Sequence, residues 1–481
     1  MKEFKNLIGD RWVNASDGSH FENRSPAASG TVLGTFPKAT REDARRAIAA
    51  AREALAGWKA TPPPTRGDVL HRASQLLAAR RAELARVLTQ EEGKTLAEAT
   101  AEVQRAADIF RYYAGEGWRM GGAVLPSASA GELLYTQREP LGVITIITPW
   151  NFPIAIPAWK LAPALVYGNT VVFKPASDAP HTALLLTEVL LEAGLPWGVL
   201  NFVTGSGAVA GDELVGNPGV NGISFTGSHT VGSAIYSRAV KHMTRVQLEM
   251  GGKNPLIVLD DADLDQAVDL AVKGGFGLTG QACTASSRVI VQAGIAPAFV
   301  EALVLAARAL RVGDGLHNGV QMGPAVNQGQ LETDLEYVAI GKQEGARLVA
   351  GGDLAGDGGY FMQPTVFDEV QPTMRIAQEE IFGPIVGVMR VSDFDEAIAL
   401  ANDVGFGLSA GIVTNNLQRA FAFANEIEAG VVKINGATSG VALNAPFGGF
   451  KQSSANTFKE QGQAAIEFYT RSKSIYVNHG G

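Results

Sequence analysis

Residues 141–177 read LGVITIITPWNFPIAIPAWKLAPALVYGNTVVFKPAS, and this stretch decides the fold. It holds two short apolar runs, at 142–147 and 170–174, each followed by a turn containing proline. Similar runs recur at 199–203, 222–225 and 254–259, and helices are predicted near 181–194, 207–216 and 230–240. Near-continuous apolar strands separated by helices are typical of a parallel sheet covered on both faces. The chain is therefore predicted to have an α/β fold with ligands bound beyond the carboxyl ends of the strands.

The regions on either side extend this pattern. Before it come a hairpin signal (Asn6-Leu7-Ile8 and Trp12-Val13 around Gly9-Asp10), a predicted loop at 23–30 and predicted helices near 41–57, 64–92 and 95–115. After it come predicted strands near 288–291, 385–391, 409–413 and 430–434 and predicted helices near 262–279, 296–309, 394–403 and 416–427. The segments 126–140 and 466–479 have a strand-like composition but no nearby partner. Because exposed strand edges favour association, we expect these two segments to pair with each other and with another subunit.

Composition narrows the class of protein. A chain of 481 residues exceeds what one hydrophobic core supports, so two or three domains are expected. Its net charge of −8 disfavours a nucleic-acid partner. No run approaches the roughly 20 apolar residues of a membrane helix, and the start MKEFKNLIGDRWV does not resemble a signal peptide. One cysteine cannot form an internal disulfide, so the predicted location is the cytoplasm. The seven histidines include no pair at ligand spacing, so no metal site is predicted.

Cys283 is the only cysteine in the chain, within the stretch GQACTASSR at 280–288. A free cysteine commonly behaves as a small, buried and inert hydrophobic residue. Alternatively it is a nucleophile, which requires an activating environment and a base from elsewhere in the chain. Taken alone, the residue favours the inert alternative. Whether Cys283 is a nucleophile therefore depends on the other residues that could activate it.

Four other polar residues lie at the ends of predicted strands or in the turns between predicted elements. Asn151, after the first run, either donates to an oxyanion or forms an Asx-type turn. Lys174 either binds a ribose or phosphate or is a solvated residue at a strand end. Glu249, before a Gly-Gly turn, is either a general base or a strand-end charge. Glu380, in EEIFGP, either accepts hydrogen bonds from ribose hydroxyls or marks the entry to a helix.

Two glycine-bearing turns compete as dinucleotide sites. The sequence GSGAVA at 205–210 matches the dinucleotide fingerprint with its permitted final alanine, although the acidic residue expected about 20 positions later is not obvious. The turn Phe225-Thr226-Gly227-Ser228, with Gly232 one helical turn on, could present a helix N-terminus to a pyrophosphate. Composition alone does not choose between them.

The motifs TPWNFP, FKPAS, FTGS, LEMGGKNP, GQACTASSR and EEIFGP occur in the order and approximate spacing of the aldehyde dehydrogenase superfamily. The resemblance covers essentially the whole chain, from the N-terminal hairpin to PFGGFKQSS near the end. It implies that Cys283 attacks an aldehyde, that Asn151 and the Cys283 backbone N–H form the oxyanion hole, and that Glu249 activates the water that hydrolyses the resulting thioester. Glu460 resembles a second acidic residue of the site, although the preceding run at 451–458 departs from the family pattern and weakens that match.

The resemblance also implies contacts with the cofactor and substrate. Lys174 matches the residue that contacts the adenosine ribose, and Glu380 matches the residue that contacts the nicotinamide ribose. The 226–228 turn with Gly232 matches the pyrophosphate site. The 205–207 turn would lie nearer the adenine. The full set of cofactor residues that it implies is Ile147, Trp150, Lys174, Ser177, Gly207, Thr226, Gly227, Ser228, Gly232, Gly251, Glu380 and Phe382. The candidates for the substrate pocket are Phe110, Phe152, Trp159, Ala282 and Thr284.

The same resemblance implies a three-part architecture and an oligomer. A Rossmann-like, parallel-sheet cofactor domain is expected at 1–125 and 141–252, a second α/β catalytic domain at 253–447, and a small β flap for oligomerisation at 126–140 and 466–481. A homodimer or homotetramer is expected, acting on a small aldehyde with no membrane or nucleic-acid partner.

Cofactor preference and substrate are less constrained. NAD-specific relatives carry a glutamate where Ser177 stands, so NADP is expected to be used as well as NAD. The chain looks most like the 2-oxoglutarate-semialdehyde (2,5-dioxopentanoate) dehydrogenase branch; the apolar or small pocket candidates equally suit an aromatic or medium aliphatic aldehyde. Trp159 stands where relatives specific for succinate semialdehyde often have arginine. Two other hypotheses are a CoA-acylating relative, which the presence of Glu249 argues against, and a non-catalytic protein on the same scaffold.

Overall fold

A computed structural model describes residues 2–455 and 457–479. Its strands, in chain order, are β1 (Asn6–Ile8), β2 (Arg11–Val13), β3 (His20–Ser25), β4 (Ala28–Pro37), β5 (Val124–Leu125), β6 (Glu132–Pro140), β7 (Val143–Ile147), β8 (Thr170–Lys174), β9 (Leu200–Phe202), β10 (Gly222–Gly227), β11 (Arg245–Met250), β12 (Asn254–Val258), β13 (Ser286–Gln292), β14 (Arg347–Ala350), β15 (Thr365–Asp368), β16 (Ile385–Val391), β17 (Phe406–Gly407), β18 (Ser409–Val413), β19 (Val431–Ile434), β20 (Phe450–Lys451) and β21 (Thr470–Asn478).

The α-helices are α1 (Arg41–Ala60), α2 (Pro63–Ala79), α3 (Arg81–Glu92), α4 (Leu96–Ala114), α5 (Ala155–Val166), α6 (Pro180–Glu192), α7 (Asp212–Gly216), α8 (His229–Ala239), α9 (Leu264–Phe276), α10 (Ala296–Ala309), α11 (Gln328–Gln343), α12 (Arg375–Gln378), α13 (Phe394–Asn402), α14 (Leu417–Glu426) and α15 (Ala464–Tyr469). Within the described residues, no helix is both long enough and apolar enough to cross a membrane.

The first sheet has seven strands in the order β11-β10-β7-β8-β9-β1-β2. The five strands from β11 to β9 are parallel, and the N-terminal hairpin β1–β2 extends the sheet antiparallel. Because β8 and β10 pair on opposite sides of β7, the chain reverses direction across the sheet at this strand. That reversal opens a crevice at the carboxyl ends of β7 and β10, where open α/β sheets bind ligands.

The second sheet also has seven strands, ordered β14-β15-β16-β13-β12-β18-β19, and all pairs except β14–β15 are parallel. Its interior strand β12 is fully buried, as expected for a parallel strand with both faces covered. The two parallel sheets confirm the predicted α/β class. Strand β12 belongs to the second sheet, although its apolar run at 254–259 comes directly after the apolar runs that form the first sheet.

A third sheet, β21-β6-β5, joins distant parts of the chain. β6 and β21 pair antiparallel over nine residues, from Glu132 with Asn478 to Pro140 with Thr470. The expected pairing of the two orphan segments with each other is confirmed for residues 132–140 and 470–478, whereas residues 466–469 belong to helix α15, so the strand-like prediction was wrong there. β5, at 124–125, precedes the predicted flap segment 126–140, and residues 480 and 481 of the segment 466–481 lie outside the described part of the chain. The domain boundaries themselves stay a prediction.

Three local predictions were wrong for identifiable reasons. The predicted loop at 23–30 belongs to the hairpin β3–β4, whose largely polar strands carry a weak apolar signal. The predicted helix 64–92 is two helices that change direction at Arg80, which lets the apolar faces of both α2 and α3 pack against α4. No helix was predicted at α5, since nearly all of its residues are buried and the 3.6-residue periodicity is lost. β14, β15 and α11 were also missed.

Candidate active site

The predicted site residues come from strands and turns of both large sheets. Asn151 follows β7, Glu249 lies in β11 of the same sheet, and Cys283 precedes β13 of the second sheet. The charges of Glu249 and Glu380 both reach the Cys283 thiol. The structure therefore gathers residues that are far apart in the sequence around one sulfur atom.

The turn before Cys283 has an unusual backbone. Leu278, Thr279 and Gly280 have φ of 55°, 60° and 68°, a left-handed conformation that costs energy for residues other than glycine. The turn is held by hydrogen bonds from outside: the Leu278 N–H donates to Glu98 Oε1 (2.8 Å), and Thr279 Oγ1 donates to the Gly323 carbonyl (3.1 Å). The chain thus fixes the position of its nucleophile candidate at the expense of local strain.

Cys283 itself is partly exposed. Its carbonyl accepts a hydrogen bond from Asn254 Nδ2 (2.8 Å), which anchors the residue to β12. Burial raises the pKa of the thiol to about 12, and the negative charges of Glu380 and Glu249 act in the same direction. At neutral pH the thiol is protonated, so its proton must be removed before the sulfur can attack.

Asn151 is buried and tied at both ends. Its Nδ2 donates to the Gln281 carbonyl (2.9 Å), two residues before Cys283, and its own carbonyl accepts from Lys94 Nζ (2.6 Å). An amide nitrogen carries two hydrogens, so one of them is not used by the contact with Gln281. Lys94 also pairs with Glu102 (2.6 Å), whose other oxygen accepts the N–H groups of Ile154 and Ala155 at the start of α5. The contacts of Asn151 are therefore those of a residue locked beside Cys283.

Glu249 is a buried carboxylate with little hydrogen bonding. Its Oε2 accepts the Gly449 N–H at 3.3 Å, and within the described residues its Oε1 has no partner. Burial raises its pKa well above the usual range; Glu460 adds to this rise, and Lys459 opposes it. A carboxylate with a raised pKa and a free oxygen has the properties of a general base that works near neutral pH.

Glu460 lies in the same buried cluster despite its irregular sequence context. It forms an ion pair with Lys160 of α5, and Lys160 Nζ also donates to Ser224 Oγ (2.9 Å). Residue 456, within the run that departs from the family pattern, lies outside the described residues. The charge of Glu460 contributes to the raised pKa of both Glu249 and Cys283.

Beyond the crevice of the first sheet lies a groove of about 970 Å³, lined by the predicted cofactor residues Ile147, Lys174 and Gly207. Lys174 is 5% exposed, and burial lowers its pKa to about 8, so the alternative of a solvated strand-end lysine is wrong. Ser177, three residues later, is exposed. The 205–207 turn and Lys174 thus border one space.

The second glycine turn forms the start of a helix. Ser228 caps α8, accepting from the Val231 N–H (3.4 Å), so Thr226 and Gly227 lead directly into the helix N-terminus. Thr226 Oγ1 has no partner within the described residues. A Cβ on Gly232 would overlap the sulfur of Met250, which explains glycine at that position.

Glu380 bridges this region to Cys283. Its Oε1 accepts the Gly252 N–H (2.9 Å), and a Cβ on Gly251 would overlap its carboxylate. Burial raises its pKa to about 7. Phe382 has a left-handed φ of 63° and packs edge-on against Trp150, with ring centroids 5.4 Å apart.

The candidates for the substrate pocket occupy different environments. Trp159 packs against Phe447 (ring centroids 5.9 Å apart), the Phe152 ring lies 4.5 Å from Lys94 Nζ, and Ala282 lines a cavity of about 470 Å³. The Thr284 carbonyl accepts from Thr438 Oγ1 (2.7 Å), which ties this residue to the 435–449 segment. Phe110 is fully buried in the hydrophobic core, so it can support a pocket only from behind.

Several residues that hold the site in place were not found from the sequence. They are Lys94, Glu102, Lys160, Asn254 and Gln281. A charged residue within an apolar stretch was an available signal for Lys160, which lies in the sequence PAWKLAPAL at 157–165. The others contact the site only through the tertiary fold.

Comparison with known proteins gives consistent results. A profile of the aldehyde dehydrogenase family matches residues 12–475. An alpha-ketoglutarate semialdehyde dehydrogenase from Haloferax volcanii is 50% identical, covering 99% of both chains, and an alpha-ketoglutaric semialdehyde dehydrogenase from Bacillus subtilis is 47% identical, covering 98% of both. A crystal structure of a betaine aldehyde dehydrogenase mutant from Staphylococcus aureus, in complex with NAD+ and with a modified cysteine, matches with a TM-score of 0.96 and 35% identity, covering 99% of this chain and 98% of the other.

Proposed function

The chain belongs to the aldehyde dehydrogenase family, which oxidises aldehydes with NAD or NADP, and from this premise we propose that its substrate is 2-oxoglutarate semialdehyde. The observation that carries this proposal is the identity of 45–50%, along essentially the full length, to relatives named for this substrate. The compound is a five-carbon chain with an aldehyde at one end and a 2-oxo carboxylate at the other. The product of its oxidation is 2-oxoglutarate.

The test is a series of aldehydes that differ in charge. We expect kcat/KM for 2-oxoglutarate semialdehyde to exceed that for neutral pentanal, benzaldehyde and cationic betaine aldehyde by at least about tenfold, a difference of about 1.4 kcal/mol in transition-state stabilisation. Each aldehyde is assayed with NAD and with NADP by the absorbance of the reduced cofactor. Equal or better use of the neutral or cationic aldehydes would contradict the proposed substrate.

The contacts of Cys283 and Asn151 suit the first half of the reaction. Loss of the proton of the partly exposed Cys283 thiol to solvent lets sulfur bond to the aldehyde carbon, and the carbonyl electrons move onto oxygen. Asn151 Nδ2 and the Cys283 N–H then stabilise the oxyanion; each such donor lowers the barrier by roughly 3 kcal/mol. Collapse of this thiohemiacetal would leave a thioester on Cys283, with the hydride passing to the acceptor that a bound NAD or NADP would supply.

Glu249 serves the second half of the reaction. Its free Oε1 takes a proton from water as the water oxygen bonds to the thioester carbon. Collapse of that intermediate breaks the carbon–sulfur bond, releases the carboxylic acid and returns Cys283. The nearby Lys160–Glu460 pair is buried and hydrogen-bonded, so it modulates the charge next to Glu249.

The residues present fit a dinucleotide. The groove beside Lys174 and Gly207 accommodates an adenosine, the N-terminus of α8 faces the crevice with the unpartnered Thr226 hydroxyl, and Glu380 offers a carboxylate to ribose hydroxyls next to Cys283. When bound, NAD or NADP supplies the hydride acceptor. Phe382 and Trp150 border the nicotinamide end in this arrangement.

We further propose that the enzyme accepts NADP in addition to NAD. Ser177 carries no charge and is exposed near the groove, which also holds the basic residues Lys174, Arg238 and Lys241. Arg238 pairs with Asp212 (2.9 Å), so it is partly neutralised. Position 177, three residues after Lys174, therefore lacks the acidic group that would repel a 2′-phosphate.

Substitution of Ser177 by glutamate tests this proposal. Two unit charges 4 Å apart interact by about 1 to 4 kcal/mol between water and a protein surface, so we expect Ser177→Glu to lower the ratio of kcat/KM for NADP to that for NAD at least tenfold. Ser177→Gln has the same size without the charge and is expected to change the ratio less than threefold. In the unmodified enzyme, an NADP turnover below one hundredth of the NAD turnover would contradict the proposal.

We also propose that the protein is a homodimer or homotetramer of the cytoplasm. The third sheet exposes large apolar side chains, including Val124 (77%), Tyr476 (65%) and Leu133 (43%). Apolar side chains on a small sheet with exposed edge strands favour pairing with a second copy. The single cysteine supports a reducing compartment.

A further inference from the structure

Arg105 of α4 is a half-buried cation that has no acidic partner among residues 2–455 and 457–479. Its Nη2 donates to the carbonyl of Val441 (2.6 Å) and to Gln461 Oε1 (3.5 Å), which are both neutral. Burial lowers the pKa of Arg105, and the charge of Asp108 opposes this only in part, because Asp108 pairs with Arg111 (3.0 Å). Within the described residues Arg105 forms no ion pair, and its Nε and Nη1 have no acceptor. Burying a charge without a partner is costly, so an anion from outside would stabilise it.

The two acceptors of Arg105 lie in the loops that build the active site. The segment 435–449 contains Val441 and also supplies Phe447, which packs on Trp159, and Gly449, which binds Glu249. Gln461 directly follows Glu460 and has a left-handed φ of 62°. Arg105 therefore sits where α4 meets both loops, on the side of the site lined by Trp159.

The same face of α4 borders a cavity that reaches the nucleophile loop. Glu98 lines this cavity together with Leu278, Ala282 and Ser439, and Ala282 is adjacent to Cys283. Arg105 comes seven residues after Glu98, which is two helical turns on the same face and about 10 Å along the axis. Ser439 is likewise only two residues from Val441. Arg105 itself does not line the cavity; it lies two helical turns beyond Glu98 and donates to Val441, two residues after Ser439.

We propose that the Arg105 guanidinium binds the carboxylate of the substrate while Cys283 engages its aldehyde. This inference rests on the proposed function, because 2-oxoglutarate semialdehyde carries its carboxylate at the end opposite the aldehyde. Arginine presents planar donors that match a carboxylate, and partial burial strengthens that pairing.

The experiment compares two substrates of equal chain length. Arg105→Gln is expected to lower the ratio of kcat/KM for 2-oxoglutarate semialdehyde to that for pentanal by about 100-fold, chiefly through the KM of the semialdehyde, because a buried carboxylate loses its charged partner. Arg105→Lys keeps the charge but loses the planar donors, and an intermediate ratio is expected. Glutarate, a dianion of the same length, should inhibit the unmodified enzyme competitively and the Arg105→Gln variant at least tenfold less.

Pentanal turnover in the same preparation, with thermal unfolding, distinguishes lost recognition from lost folding. If both substrates fall equally in Arg105→Lys and Arg105→Gln while the unmodified enzyme prefers the semialdehyde, Arg105 only holds the loops and the inference is wrong. If the unmodified enzyme shows no preference for the semialdehyde, the proposed substrate is wrong instead. If the semialdehyde-to-pentanal ratio and the affinity for glutarate fall together in Arg105→Gln, the result supports both the proposed substrate and the role of Arg105.

Discussion

Replacement of Cys283 by alanine is expected to lower aldehyde oxidation by at least about four orders of magnitude, because no other thiol exists in the chain to form the covalent intermediate. The substitution removes one sulfur atom from a partly exposed side chain, whereas the hydrogen bond from Asn254 is to the Cys283 backbone carbonyl. The fold and the groove are therefore expected to persist. Stopped-flow absorbance of the reduced cofactor measures the loss.

Binding of NAD to Cys283→Ala, followed by fluorescence titration, is the control for an intact site. Cys283→Ser provides a second comparison, since it keeps a hydroxyl of similar size that is a much weaker nucleophile. Oxidation above one per cent of the unmodified rate in Cys283→Ala would contradict the covalent mechanism.

The pH dependence of alkylation examines the resting thiol directly. With its pKa raised to about 12, Cys283 is protonated at pH 7 and gains thiolate as pH rises. In the chain without cofactor, the rate of reaction with iodoacetamide is therefore expected to increase about tenfold per pH unit between 7 and 9. A rate that levels off below pH 8 would show a much lower pKa.

Replacement of Glu249 by glutamine is expected to slow steady-state turnover by roughly 10² to 10⁴-fold, the usual contribution of a general base. Hydride transfer in the first turnover should be affected less than thioester hydrolysis. The expected time course is a burst of reduced cofactor, close to one per site, followed by a slow phase. Mass spectrometry of the protein during the slow phase should show the acyl group on Cys283.

The sign of the pH effect follows from the raised pKa of Glu249. The carboxylate form, which accepts the proton from water, is populated only above that pKa, so the steady-state rate should rise with pH in the unmodified enzyme. Glutamine does not titrate there, and the variant should lose this part of the pH profile. A steady rate equal to that of the unmodified enzyme, with no burst, would remove Glu249 from this role.

Some of the site was accessible from sequence because its signals are local. The apolar runs at 142–147, 170–174 and 222–225 predicted the strands β7, β8 and β10, and the polar residues just beyond them were the correct places to search. Parallel strands need continuous apolar stretches, and their carboxyl ends collect polar side chains at one edge. Helix α5 could not be predicted in this way, because a helix that is buried on all sides has no amphipathic period in its sequence.

By itself, the sequence determined the α/β class, the family resemblance and the residue types offered to the chemistry: one thiol, an amide after β7 and a carboxylate in β11. Only the tertiary structure decided how these groups behave. It joins Lys160 to Glu460 across 300 residues and Arg105 to Gln461 across 356. It also raises the pKa of Cys283, first by burying the thiol and then by placing the charges of Glu380 and Glu249 near it. The physical reason is that strand and helix signals come from neighbours in the chain, whereas desolvation and charge interactions depend on neighbours in space.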